Sequence, residues 1–215
     1  MKTPTIPRRR GRPKDPAKRS AILEAAKDLF ARHGLAGTSM EAIAARAGVS
    51  KLTLYSHFAT KDDLFQQAVI AKCEEHAPAA LFEGKPGEPL RARLTGIAGG
   101  FLALVMNEQA MELHRMMCAQ AGSDRRLGRL FFSAGPQRTI AQFARLLAAA
   151  TRSGELAVPD PQRAAAHFFC LLKGADHLRV MVGAGRAPPP PQTRAHIADV
   201  VELFLRAYAP AAKRR

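Results

Sequence analysis

Apolar residues recur along most of this chain at intervals of three and four, and sustained alternation is rare, which predicts helices and almost no strand. The pattern divides into about nine or ten helices. The first runs from Pro16 to His33, with Ile22, Ala26, Leu29 and Phe30 on its apolar face and Gly34 as its stop. Thr38 is expected to cap the second, with Glu41 three residues on completing a capping box. That helix turns Ile43, Ala44 and Ala47 inward and ends at Gly48. Ser50 caps a third helix over Lys51 to Phe58. Thr60 caps a fourth, whose Asp62 and Asp63 lie in the first turn, where the helix dipole favours acids.

Leu81 to Pro89, with its Gly and Pro residues, reads as a loop between domains. Beyond it, helical periodicity returns near 89–106, 108–120, 124–134, 136–153, 161–182 and 193–208. Pro136 and Pro161 fall where a first helical turn tolerates proline, and Pro188 to Pro191 reads as a stiff connector. The chain shows no internal repeat.

At 215 residues and 47% hydrophobic, the chain is large enough for a real core. The net charge of +15 favours an anionic partner, and its distribution sharpens that reading. Residues 1–20 carry eight basic side chains against Asp15 alone, and Lys213, Arg214 and Arg215 close the chain. Residues 1–15 read as a basic arm, disordered when free. No apolar stretch follows the basic start, so a signal peptide is not expected, and charges interrupt every apolar run before it reaches membrane length. Cys73, Cys118 and Cys170 are far apart and odd in number, which reads as reduced thiols in a cytoplasmic protein.

Residues 37–65, GTSMEAIAARAGVSKLTLYSHFATKDDLF, carry the most specific signal. Two short helices joined through Ala47-Gly48-Val49-Ser50 have the layout of a helix-turn-helix, with Gly48 free to take a positive φ at the sharp turn. Ile43, Val49, Leu54 and Phe58 are spaced to face inward. Lys51, Thr53, Ser56 and His57 fall on the opposite side, with Tyr55 alongside, and such side chains bond to phosphates or base edges in a major groove. AIAARAGVS followed by TLYSHFATKDDLF resembles the signature of the tetracycline-repressor (TetR) family of transcription regulators, over roughly residues 18–72. The resemblance implies that Lys51 to His57 form the recognition helix. It implies DNA contacts from Thr53, Tyr55 and Lys61, with Ser56 and His57 at more variable contact positions. Thr38, Ser50 and Leu52 complete the expected DNA-binding set, Leu52 through a thymine methyl. Arg10-Gly11-Arg12-Pro13 resembles an AT-hook core, whose arginines enter a narrow minor groove.

Residues 131–156 and 160–172 resemble the effector domain of AefR-like members of that family. This implies a cavity among the middle helices for an unidentified small-molecule effector, and a homodimer through the last two helices, about 161–182 and 193–208. Phe101, His114, Met117, Phe132, Phe143 and Phe169 are the expected lining residues, although phenylalanines there serve equally as plain core. Helix 161–182 carries apolar residues on most faces, more than a small monomer buries. His114, Met116, Met117 and Cys118, like His167, Cys170, Asp176 and His177, suggest metal clusters but read as packing, so no metal site is assigned.

The expectation is therefore an all-α protein in three parts. Residues 1–15 are an AT-hook-like arm; 16–78 are a three-helix DNA-binding domain with its helix-turn-helix at about 39–58; 88–209 are a helical ligand-binding and dimerisation domain. Its expected function is a ligand-responsive repressor that binds double-stranded DNA at a palindromic operator as a dimer. Alternatives are an activator of the same family or a non-specific architectural DNA-binding protein. No catalytic constellation, cofactor or membrane partner is expected.

Overall fold

A computed structural model describes residues 15–85 and 87–210. The arm with Arg10, Gly11, Arg12 and Pro13, and the basic end at Lys213 to Arg215, lie outside the described residues. Eleven helices are present among the described residues, and no strand. They are α1 (Pro16–His33), α2 (Met40–Arg46), α3 (Lys51–His57), α4 (Lys61–His76), α5 (Ala79–Glu83), α6 (Leu90–Val105), α7 (Glu108–Gln120), α8 (Arg125–Ala134), α9 (Pro136–Arg152), α10 (Pro161–Met181) and α11 (Pro190–Ala207).

Capping chemistry sets most boundaries. Asp15 accepts from the Ala17 N–H ahead of Pro16 in α1, and Thr60 accepts from the Asp63 N–H at α4. The cap of α2 differs from expectation. Ser39 accepts from the Ala42 N–H at 3.0 Å, whereas Thr38 is buried at 3% exposure and donates its hydroxyl to the Gly34 carbonyl at 2.7 Å. A threonine methyl packs in a core once its hydroxyl is satisfied, and the neighbouring serine then takes the cap.

Three further boundaries depart from the sequence reading. Helix α5 runs into the loop expected from Leu81 to Pro89; it buries Phe82 and ends at Gly84 with φ 73°. Pro190 and Pro191 do not belong to a connector; they form the first turn of α11, where a missing N–H costs nothing. Helix α10 is broken at Gly174 (φ 51°, ψ −162°), and the Leu172 carbonyl accepts instead from His196 Nε2 of α11 at 2.9 Å.

Two apolar cores form. The first joins α1 to α4 around Ile22, Phe30, Ile43, Leu54, Phe58 and Phe65, with Phe30 and Phe65 edge to face at 5.3 Å. It also takes in Leu127 and Ala134 of α8, so packing crosses the expected boundary near residue 78. The second joins α5, α6, α9, α10 and α11 around a stack of Phe143, Phe168, Phe169 and Phe204. Full burial of each such side chain contributes roughly 1.5–3 kcal/mol.

Candidate functional site

Helix α3 is short and held from beneath by Leu54, with Phe58 just past its end; both are almost completely buried. Helix α2 supplies Ile43 to the same core, and Val49 in the turn is half-buried. At the turn, Gly48 has φ 66°, and the Val49 N–H reaches the Ala44 carbonyl at 3.0 Å, closing the end of α2. Asp28 of α1 ties down the far side of α2 by accepting from Arg46 at 2.9 Å.

This leaves one face of α3 in solvent. Leu52 is 83% exposed and Tyr55 46%, unusual values for large apolar side chains. Lys51 and Ser56 are exposed beside them, while Thr53 and His57 are half-buried. Ser50 caps α3, accepting from the Thr53 N–H at 3.1 Å, and Ser56 donates to the Thr53 carbonyl at 2.6 Å. Lys51 pairs with Glu41 at 2.9 Å and holds that carboxyl below its usual range. Lys61 donates to the Thr38 carbonyl at 2.9 Å, which fastens the start of α4 to the entrance of α2. The Thr38 side chain, expected among the DNA contacts, is buried, with its hydroxyl donated to the Gly34 carbonyl. Arg19 lies over the Phe58 ring at 5.3 Å and donates to Gln67, so this cation of the basic N-terminal stretch packs on the domain.

A cavity of about 280 Å³ lies between the two cores. Lys27 and Phe30 of α1 and Phe65, Val69, Lys72 and Cys73 of α4 form one side. The opposite side comes from α6 to α10, including Phe101, His114, Phe131, Phe132, Ile140, Phe169 and Lys173. Of the expected lining residues, Phe101, His114, Phe132 and Phe169 are there. Phe143 is not; it lies at the centre of the aromatic stack with no exposure. Met117 is also absent from the wall, packing against the first core instead. Sequence spacing identifies the inward face of a helix but not which of two neighbouring spaces that face meets.

Polar groups on the cavity wall are few. Burial pushes the Cys73 thiol up to about 11 and lowers His114 to about 4, with Lys173 and His177 adding to the latter shift. His114 and His177, assigned by sequence to separate clusters, stand at right angles with centroids 5.9 Å apart. No group of three or more metal-ligating side chains occurs among the described residues. No described helix is long and apolar enough to cross a membrane.

A solvent-facing helix held by a glycine turn, on a helical body that encloses an apolar cavity, defines a one-chain DNA-binding regulator of the helix-turn-helix class. Comparison with known proteins agrees. Residues 22–68 match the family described as bacterial regulatory proteins, tetR family, and residues 92–210 match the AefR-like transcriptional repressor, C-terminal domain. The chain belongs to the TetR family of transcriptional regulators. It is 33% identical over 150 residues to the HTH-type transcriptional regulator RutR of Escherichia coli K12, covering 68% of each chain. Among solved structures, a TetR-family regulator from Mesorhizobium loti aligns with a TM-score of 0.73 at 28% identity, over 92% of this chain and 99% of that one. The flavonoid-responsive regulator FrrA aligns with a TM-score of 0.71 at 31% identity, over 92% of this chain and all of its own.

Proposed function

We propose that this regulator is a ligand-controlled repressor that binds a near-palindromic operator as a dimer. The observation that carries the reading is the make-up of the cavity wall. Helices α1 and α4 of the DNA-binding part form one side and α6 to α10 the other, so a bound molecule touches both parts at once. Such a molecule shifts operator affinity by its differential affinity for the two arrangements of those parts. The apolar lining favours an apolar or aromatic effector, and the flavonoid response in FrrA's name supports that class.

Dimerisation is supported by apolar side chains left in solvent on the last two helices. Leu171 and Leu178, on either side of the break at Gly174, and Val182 at the end of α10 are exposed, and Leu203 stands exposed on α11. A helix pair of this kind buries such side chains against its symmetry mate. The dimer then presents two α3 helices to successive major grooves, roughly 34–36 Å apart or a multiple of that.

The test is binding of the purified protein to DNA immediately upstream of its own gene, with scrambled DNA as control. Selective, salt-sensitive binding by a dimer is expected, and Tyr55→Ala weakens it without lowering the unfolding midpoint. Equal affinity for both DNAs from a monomer, or an unaffected Tyr55→Ala variant, overturns the reading.

A further inference from the structure

Three lysines reach the cavity wall, and their surroundings differ. Lys27 pairs with both Glu24 and Glu75. Lys72 pairs with Glu75 at 3.3 Å and donates to Gln109 at 3.2 Å. These two cations are answered by two carboxylates. Lys173 on α10 has no carboxylate within ion-pair distance among the described residues; the nearby Asp176 pairs with Arg179 instead.

What stands beside Lys173 is a pair of imidazoles. Its charge acts on both His114 and His177, and His177 is buried, with 5% of its surface exposed. His114 Nδ1 and His177 Nε2 are buried without a hydrogen-bond partner among the described residues. On the cavity wall the His114 ring and the Lys173 ammonium form a polar corner that the protein itself leaves incomplete, with the His177 ring packed against His114. An oxygen anion completes it, whereas a cation there meets Lys173 head on. Beyond Lys27 and Lys72, which are already paired, and the polar Gln109 and Thr139, the wall is mainly aromatic and aliphatic, with His114 edge to face on Phe131 at 5.3 Å.

Resting on the ligand-controlled reading above, we propose that the effector is an aromatic weak acid bound as its anion. Its flat body lies among Phe101, Phe131 and Phe169, and its carboxylate or acidic phenolate oxygen is received by Lys173 and the His114 ring. Lys173 selects the charge, His114 orients the oxygen, and the aromatic wall selects a flat apolar body.

The experiment is titration calorimetry on the full chain with benzoate, 2-naphthoate and biphenyl-4-carboxylate, each beside its primary amide. At least one acid is expected to bind once per chain, with its amide roughly tenfold weaker, the difference between a charge-assisted and a neutral hydrogen bond. Lys173→Met removes the preference by weakening the acid alone, and Lys173→Arg keeps it. Amides that bind as well as the acids, an acid indifferent to Lys173→Met, or no acid bound at about 1 mM overturns the proposal. A parallel arm measures operator affinity with each ligand. Lys173-dependent acid binding that leaves operator affinity unchanged upholds the effector chemistry and overturns ligand control. Equal release of DNA by acid and amide does the reverse.

Discussion

Arg138 of α9 donates through Nη2 to Glu74 Oε1 of α4 at 3.0 Å, and Glu74 turns its other oxygen, Oε2, to the Ala79 N–H at 3.0 Å. One carboxylate thus joins the helix that leaves the DNA-binding core to a helix of the second core, and also satisfies the first turn of α5. The two roles separate by substitution. Glu74→Ala loses both and is expected to cost about 1 kcal/mol of stability, with faster amide exchange at Ala79. Glu74→Gln keeps an acceptor for Ala79 and loses only a half-exposed ion pair, so its cost stays under about 1 kcal/mol, with Ala79 still protected. Urea unfolding with amide exchange on both variants checks this; equal exchange rates at Ala79 would rule out the capping role.

Gly48 sets the angle between α2 and α3 with a φ of 66°, and a Cβ added there meets nothing within 4 Å. The cost of a side chain is therefore backbone strain alone. Gly48→Ala is expected to lower stability by about 1 kcal/mol, and Gly48→Asn by less, because asparagine tolerates the left-handed region. Chemical denaturation gives the order directly, and an alanine variant as stable as the parent would contradict the strain argument.

We propose that Glu41 competes with DNA for Lys51. The pair is exposed and 2.9 Å apart at the edge of the face that α3 presents. Glu41→Gln frees the lysine and removes a negative charge from the approach to phosphate. Operator binding is expected to tighten roughly two- to fivefold, the scale of a surface ion pair. Lys51→Ala weakens binding and lowers the slope of log K against log salt by about one. Affinity measured across a salt series tests both, and a slope unchanged in Lys51→Ala shows that Lys51 meets no phosphate.

The helix pattern was legible because apolar spacing and capping residues are local: Asp15 with Pro16, Ser50, Thr60 and Pro136 all mark helix starts in the sequence itself. The exposed face of α3 was legible for the same reason, since Leu54 alone of α3 is buried. Thr38 and Ser39 are adjacent and both favour a cap, and only the tertiary acceptor at Gly34 decides between them. The cavity was the least legible part. His114 and His177 lie 63 positions apart, on helices brought together only by packing. Nothing local distinguishes Phe143 in the stack from Phe169 on the wall.

His114 links that packing to pH. Its pKa is lowered to about 4, first by burial and then by Lys173 and His177, against 6.5 for the free side chain. The folded state therefore prefers the neutral ring, and the unfolded chain binds the extra proton between those two values. Stability is fully present above about pH 6.5 and falls as pH drops towards 4, by roughly 3 kcal/mol at the upper limit. His177 is shifted in the same direction by its own burial and steepens the fall. His114→Gln should flatten the dependence of unfolding free energy on pH in this window by up to about one proton. An unchanged slope would place the coupling elsewhere.

Leu52 has no role in the fold: at 83% exposure it contributes nothing to the core, and α3 would be more soluble with a polar residue there. We propose that from the first turn of α3, between Lys51 and Thr53, it is laid against base edges. An aliphatic group in a major groove discriminates through the thymine methyl, the one apolar mark that groove carries. Once an operator is in hand, replacing each thymine in turn by deoxyuridine removes that methyl and leaves every hydrogen-bonding atom in place. One position per half-site is expected to lose several-fold in affinity, and Leu52→Ala should lose as much on the natural operator while becoming indifferent to the replacement. If the loss from deoxyuridine persists in Leu52→Ala, another side chain reads the methyl.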